Sequence, residues 1–524
     1  MILEGTKDPI MIYSNNNYLY TIDNTIMLWF SGFNRKIGNY EYNLYDISDN
    51  TLVYFNKSKL YIIDFLNNKN LTKSYLIENN LTNLIIIDES IYYVKYLNER
   101  YTVFEVCKNK LSKKIIFSSK RRIKLGKNNH YLHIIKSSYN EHIIIYDTET
   151  KTMETFSNRT NYFIGYWNGF IEHDFFNERT DICINKNKIL IDGLVRNYVI
   201  RKDKILLNVS KKNKLFKLIE IDMNTLEQNC LLISKVYIKE VRLTNGYLMI
   251  NYNDLVYDID IWFIEKYENK IKCYYENKKI IPQKKYQRKF TQKDNIPYDV
   301  YKNLETSKDK TLIYLHGGPH VYIDRSNDFL KRFLMGFCDK LIVIHYVGSK
   351  GFGKKYETSL YGNWGKIEVE SILQVIQSEN IDFSKTVLFG ESYGATISIL
   401  LATKYELSFK KILAVSGPID VKEYYYKLTN YQKLIYLKRC SYSKNKIIDR
   451  DTYFEEISPV TYFQNKTTPI NIIYGEKDYR IGLDSLKKYT NKFENINISE
   501  IKNAAHDLQS IFNNIKLCEI NKFL

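Results

Sequence analysis

Only seven prolines and 21 glycines punctuate the 524 residues, and alanine is sparse as well. Lysine, asparagine, isoleucine and tyrosine take their place, the bias that an AT-rich coding sequence produces. The formal net charge of +18 is therefore in large part compositional, and a nucleic-acid partner is not expected from it. The two sharpest basic clusters, SKRRIKLGK (119–127) and KKIIPQKKYQRK (278–289), read first as solvated faces and second as sites for an anionic partner.

No run of about 18 apolar residues occurs, which excludes a helical membrane span, and no membrane partner is expected. The opening stretch MILEGTKDPIMIY carries an acid early and has no basic region followed by a long apolar one, so no secretory signal is expected. The seven cysteines are far apart, odd in number and without a CxxC pair. That pattern excludes a disulfide framework and a cysteine zinc site and favours a reducing compartment, so the expected location is cytoplasmic. No motif calls for a metal or an organic cofactor. The length is too great for one ordinary core and implies two or three domains.

Two rhythms are present. From about residue 10 to 275, short strand-like runs alternate with turn residues, as in YNEHIIIYDTETKTMETF (139–156) and KLFKLIEIDMNTLEQN (214–229). Aligning these hairpins on their turns marks Asp23, Asp64, Cys107, Asp147, Asn185, Asp222 and Tyr267, at intervals of 41, 43, 40, 38, 37 and 45 residues. A period of about 40 with four short strands per unit suits a β-propeller blade, and seven such blades close a ring without exposed edges. An irregular pair of β-sandwiches is the alternative. The expected domains are a seven-bladed β-propeller over 1–280 and an α/β-hydrolase domain over 290–524, joined by the basic stretch 276–290 with Pro282.

In the second half, TLIYLHGGP (311–319), KLIVIHYVG (340–348), TVLFGESYG (386–394), KILAVSGP (411–418) and PINIIYGEKD (469–478) each begin as a continuous apolar strand and end in glycine or polar residues. Helix-like segments, IEVESILQVIQSEN (367–380) and ATISILLATKYE (395–406), lie between several of them. Buried strands alternating with helices imply a mostly parallel sheet covered on both faces. Chemistry in such sheets gathers at the carboxyl ends of the strands.

The stretch GESYG (390–394) puts Ser392 at the turn from an apolar strand into a helix, where small neighbours tolerate a strained backbone and leave the hydroxyl exposed. A helix N-cap serine is the alternative. A serine hydroxyl needs a base to become a nucleophile. Of the eight histidines only His506, in KNAAHDLQS, follows Ser392 in the order Ser, acid, His. Asp478 ends the strand INIIYGEKD 28 residues before it and is the expected orienting acid; Asp449 and Asp484 compete but close no apolar strand. Backbone N–H groups of Tyr393 and of Gly318, in the HGGP turn 316–319, are the expected oxyanion donors.

Taken in order, HGGPH, HYVGSKGFG, GNWG, GESYGA, SPV, YGEKD and NAAH resemble the catalytic domain of the prolyl oligopeptidase family of serine peptidases, most nearly its acylaminoacyl-peptidase branch. The resemblance covers roughly the last 235 residues and implies Ser392 as nucleophile, Asp478 as acid and His506 as base, with Gly318 and Tyr393 as oxyanion donors. It also implies an N-terminal propeller that limits access to short or unfolded chains. Two positions depart from the family: His345-Tyr346-Val347-Gly348-Ser349 stands where Asn-Tyr-Arg-Gly-Ser is usual, and Ala505 replaces the glycine before the histidine. The expected function is hydrolysis of short peptides through an acyl-enzyme. An esterase or acyl hydrolase with the same three residues and a non-catalytic propeller interaction protein are the alternatives. A homo-oligomer is compatible with the sequence.

Overall fold

The computed structural model describes residues 2–515 apart from short stretches, the longest being 158–168, 268–284 and 438–448. Two compact units result, Met1–Asn253 with Asp260–Ile280 and Asp254–Ile259 with Ile281–Leu524. Among the described residues no helix is long and apolar enough to cross a membrane.

The described residues of the first unit form seven small antiparallel sheets. Six are consecutive meanders over residues 8–39, 45–76, 81–119, 123–157, 169–192 and 194–234, and the seventh pairs Ile2–Glu4 with the last strand of 238–266. The fifth has three described strands and the others four. Local chemistry sets the turns. Asp147 and Asp222 each end a strand, and each carboxylate accepts the N–H groups two and three residues on, at 2.9 and 3.0 Å. Lys151 and Leu226 then take φ of 58° and 64° and donate back to the same two aspartate carbonyls. The spacing Asp-x-x-Thr thus writes the same turn twice.

Alternation along the strands lets a sheet pack on both faces. In the third sheet Leu84 and Ile86 face Val53, Phe55 and Leu60 of the second. Ile85 and Ile87 face Ile123, Leu132 and Tyr146 of the fourth. Fifth and sixth share a core through Ile182, Ile189, Val195 and Leu207. Asn208 donates to the Ile238 carbonyl across the sixth and seventh at 2.9 Å, and Tyr20 of the first packs on Met249, Trp262 and Ile264 of the seventh. Asp64, Cys107, Asp147 and Asp222 end the third strands of their sheets and Tyr267 follows the strand Ile259–Lys266. Asp23 and Asn185 lie outside the described residues; position 23 is numbered one strand earlier in its sheet. Of the basic cluster 119–127, Lys127 is an internal tie, its Nζ 2.6 Å from Asp46 Oδ2 and from the Ile47 carbonyl. Positions 121–122, and 278–284 of the second cluster, lie outside the described residues.

The second unit is built on one eight-stranded sheet. Its strands are β1 (Tyr286–Lys293), β2 (Ile296–Asn303), β3 (Thr311–Leu315), β4 (Lys340–Ile344), β5 (Thr386–Glu391), β6 (Lys411–Val415), β7 (Ile470–Gly475) and β8 (Ile496–Ile501). The spatial order is β1-β2-β4-β3-β5-β6-β7-β8, with β1 and β2 antiparallel to their neighbours and the rest parallel. Helix α1 (Ile367–Ser378) buries Val369, Ile372, Val375 and Ile376, a single apolar face. Helix α2 (Tyr393–Thr403), which follows β5, is buried from Gly394 through Thr403, as an all-round apolar sequence requires. Both pack into the core formed by β2 to β8. A short helix α3 (Leu508–Asn514) follows β8.

Candidate active site

β5 is buried along its length and stops at Ser392, whose φ of 49° and ψ of −116° lie outside the ordinary regions. The Ser392 N–H donates to the Val415 carbonyl at 2.7 Å, which anchors the turn to β6. Ser392 sits at the N-cap position of α2, yet its side chain makes no capping bond. Its Oγ lies instead 3.2 Å from His506 Nε2. The N-cap alternative therefore describes the position of this serine and not what its hydroxyl does.

His506 stands in the turn between β8 and α3. Asp507 caps α3 through Ser510 N–H at 2.8 Å, and Ser510 Oγ accepts from Ala505 N–H at 2.8 Å, so the histidine is gripped from both chain neighbours. Below it Gly475 ends β7 where any Cβ would fall 2.4 Å from the carbonyl oxygens of Ala504 and Ala505. The turn after β7 brings Asp478, 1% exposed, to 2.7 Å between Oδ2 and His506 Nδ1. A carboxylate facing Nδ1 fixes the proton there, leaving the Nε2 lone pair aimed at the serine hydroxyl. Three side chains from the ends of β5, β7 and β8 thus line up as hydroxyl, imidazole and carboxylate. Such a line can withdraw a proton from the hydroxyl as it attacks a carbonyl carbon. Asp449 does other work: it is exposed and caps the helix Arg450–Glu456 through Thr452. Asp484 lies in the helix Leu483–Tyr489.

The HGGP turn follows β3. Gly317 lies against Ser392, a Cβ there falling 3.1 Å from Ser392 Cβ, and Gly318 is exposed with φ of +117°. Among the described residues neither the Gly318 nor the Tyr393 N–H has an acceptor. The turn is held from beneath by His316, whose Nδ1–H donates to the Gly317 carbonyl at 2.8 Å while Nε2 lies 2.8 Å from Ser349 Oγ. Tyr346 stacks on that ring at 4.4 Å and donates its hydroxyl to the His316 carbonyl at 2.7 Å. Complete burial pushes the His316 imidazole down to about 3, so the ring is neutral.

Sequence reasoning passed over two acids beside these residues. Glu391 precedes Ser392 and takes the Tyr314 hydroxyl at 2.9 Å; burial pushes its carboxyl up, and the nearby His506 pulls it the other way. Its signal was a charged residue inside GESYG, at the end of a buried strand. Glu368, at the start of α1, accepts the Tyr393 hydroxyl. Two departures from the family pattern are also resolved. His345 puts Nε2 3.1 Å from the buried Asp299, which also pairs with Arg288, and Ala505 donates to Ser510 as described. Among the described residues no group of three or more His, Cys, Asp or Glu side chains could hold a metal ion.

Residues 335–508 match the prolyl oligopeptidase family. Acylamino-acid-releasing enzyme 1 of Oryza sativa subsp. japonica is 27% identical over 201 residues, covering 36% of this chain and 25% of that protein. Acylamino-acid-releasing enzyme of Homo sapiens is 26% identical over 202 residues, covering 36% and 27%. The chain thus matches about a quarter of the length of these relatives. The fold extends further than the sequence likeness. A puromycin-hydrolyzing peptidase of Mycobacterium tuberculosis superimposes with a TM-score of 0.70 at 11% identity, over 97% of this chain and 92% of that one. An acylaminoacyl peptidase bound to Z-Gly-Gly-Phe-chloromethyl ketone does so with a TM-score of 0.65 at 16% identity, over 95% and 91%.

Proposed function

We propose that this chain, which carries a prolyl oligopeptidase family domain, is a serine peptidase that hydrolyses short peptides. The observation that carries the reading is His506, within 3.2 Å of Ser392 Oγ on one nitrogen and 2.7 Å of Asp478 on the other. In the proposed cycle Ser392 Oγ attacks the scissile carbonyl carbon as His506 Nε2 takes the hydroxyl proton. Asp478 stabilises the imidazolium so formed. The oxyanion is met by the N–H groups of Tyr393 and Gly318, each such donor contributing about a hundredfold or more to turnover. The imidazolium returns its proton to the leaving amine, and water, deprotonated by His506, then cleaves the acyl-serine ester.

The supporting context is the named activity of the relatives, which release acylamino acids or hydrolyse puromycin by their printed names. The seven sheets of the first unit, with the first packed on the seventh, support reading residues 1–280 as a seven-bladed β-propeller. Residues 290–524 are proposed as the α/β-hydrolase domain. The scattered cysteines support a cytoplasmic location.

A fluorophosphonate probe tests the nucleophile directly. Labelling of the wild type and its loss in Ser392→Ala is the expected result; no adduct on the wild type discards the proposal. Digestion of a random peptide library then defines the cleaved bond, and a folded protein cut as fast as a decapeptide would refute the restriction to short chains. An esterase is the second reading, since ester and amide cleavage share this chemistry. Turnover of a p-nitrophenyl ester with none of peptide amides selects it.

A further inference from the structure

Glu368 is completely buried at the start of α1. Its Oε1 accepts the Gly365 N–H at 2.5 Å and the hydroxyl of Tyr393, while Oε2 is buried and has no hydrogen-bond partner among the described residues. An acid in such a place destabilises the fold relative to an apolar residue of similar size. The Tyr393 ring it grips also packs on Trp364, with centroids 4.9 Å apart. Tyr346, which holds the His316 carbonyl, feels the charge of Glu368 as well. One buried acid therefore lies close to two phenols, one on the residue after Ser392 and one, after β4, whose hydroxyl bonds the HGGP turn.

We propose that Glu368 is a positioning residue of the hydrolytic site, fixing the Tyr393 phenol and so the direction of the backbone N–H next to Ser392. This rests on the peptidase reading above. Burial pushes the Glu368 carboxyl up to about 7, against the bonds from Tyr393 and Gly365 that favour its ionised form. The titratable groups facing it are the phenols of Tyr393 on α2, Tyr346 after β4 and Tyr405 after α2. Both groups bonded to Oε1 are donors, so the ionised acid holds Tyr393 more tightly than the neutral one. Turnover should then fall on acidification as Glu368 is protonated.

The test is kcat and KM for p-nitrophenyl acetate between pH 5 and 9. Glu368→Ala lowers kcat by about 10- to 100-fold with KM within about threefold, the mark of a transition-state contact. Glu368→Gln, which keeps an acceptor for Tyr393, recovers most of that loss, and its acid limb is less steep than that of the wild type. Tyr393→Phe provides a second variant if the alanine protein does not fold: it keeps the backbone N–H and should lose kcat in the same way. An inert wild type overturns both this proposal and the peptidase reading. An active wild type whose Glu368→Ala or Tyr393→Phe variant keeps its kcat, or changes only in KM, overturns this proposal alone.

Discussion

The carbonyl oxygen of Leu315 stands 2.1 Å from where a Cβ on Gly394 would lie, so the end of β3 and the start of α2 touch through bare backbone. The His316 carbonyl is 2.6 Å from the same point. Ser392 is held against the HGGP turn by this contact, and a side chain at 394 must push the two apart. Gly394→Ala should cost about 1–3 kcal/mol or more in stability. It should also slow fluorophosphonate uptake at temperatures where the protein is still folded. Thermal melts alongside labelling rates measure both effects, and an unchanged melt would show that the turn yields freely.

Asp478→Asn tests the orienting role. The amide can still bond His506 Nδ1, but by offering its N–H it favours the tautomer with the proton on Nε2, where it faces Ser392. Turnover should drop by about 10⁴ with little change in melting temperature. Full activity in this variant would remove Asp478 from the mechanism.

How much of this was legible in the sequence depends on burial. The strands β3 to β7, buried on both faces of a parallel sheet, show as continuous apolar runs and were readable as such. β1, with the sequence YQRKFTQK, is largely polar at the sheet edge and begins in the stretch 276–290 that read as a link. β2 and β8 likewise gave no distinct signal. Ser392, Asp478 and His506 sit in short motifs at or near strand ends, which made them legible as candidates. Glu368 and Tyr346 acquire their contacts only when segments 25 and 30 residues away fold over them. His345 stood out as a departure from the family, but its partner Asp299, 46 residues earlier, did not.

Acid stability should carry the signature of His316. The unfolded imidazole binds a proton below about 6.5, while the buried ring resists one until about 3. Between those values the unfolded state holds more protons, so stability falls as pH falls, by about 1.4 kcal/mol per unit. Denaturant titrations from pH 7 to 4 should show this slope, and His316→Asn should flatten it. An equal slope in both proteins would mean the ring is not neutral when buried.

The Arg288–Asp299 pair is almost wholly buried. Burial pushes the Asp299 carboxyl up, and the Arg288 guanidinium with His345 brings it below its ordinary value. Arg288→Met leaves that carboxylate with His345 alone and should cost about 3–5 kcal/mol at pH 7. The penalty should shrink in acid, once Asp299 can be protonated. Chemical denaturation at pH 7 and pH 4.5 gives both values, and a cost independent of pH would point to lost packing only.

The pairing of Ile2–Glu4 with Ile261–Phe263 joins segments about 260 positions apart. During synthesis the strand Ile2–Glu4 is made well before its partner, while the sheets in between form from local hairpins. Until the two strands pair, Ile259–Lys266 has an open side that another copy's edge could occupy. A variant shortened by its first seven residues should therefore associate with itself at concentrations where the intact chain stays dispersed, even though nothing near Ser392 has been altered.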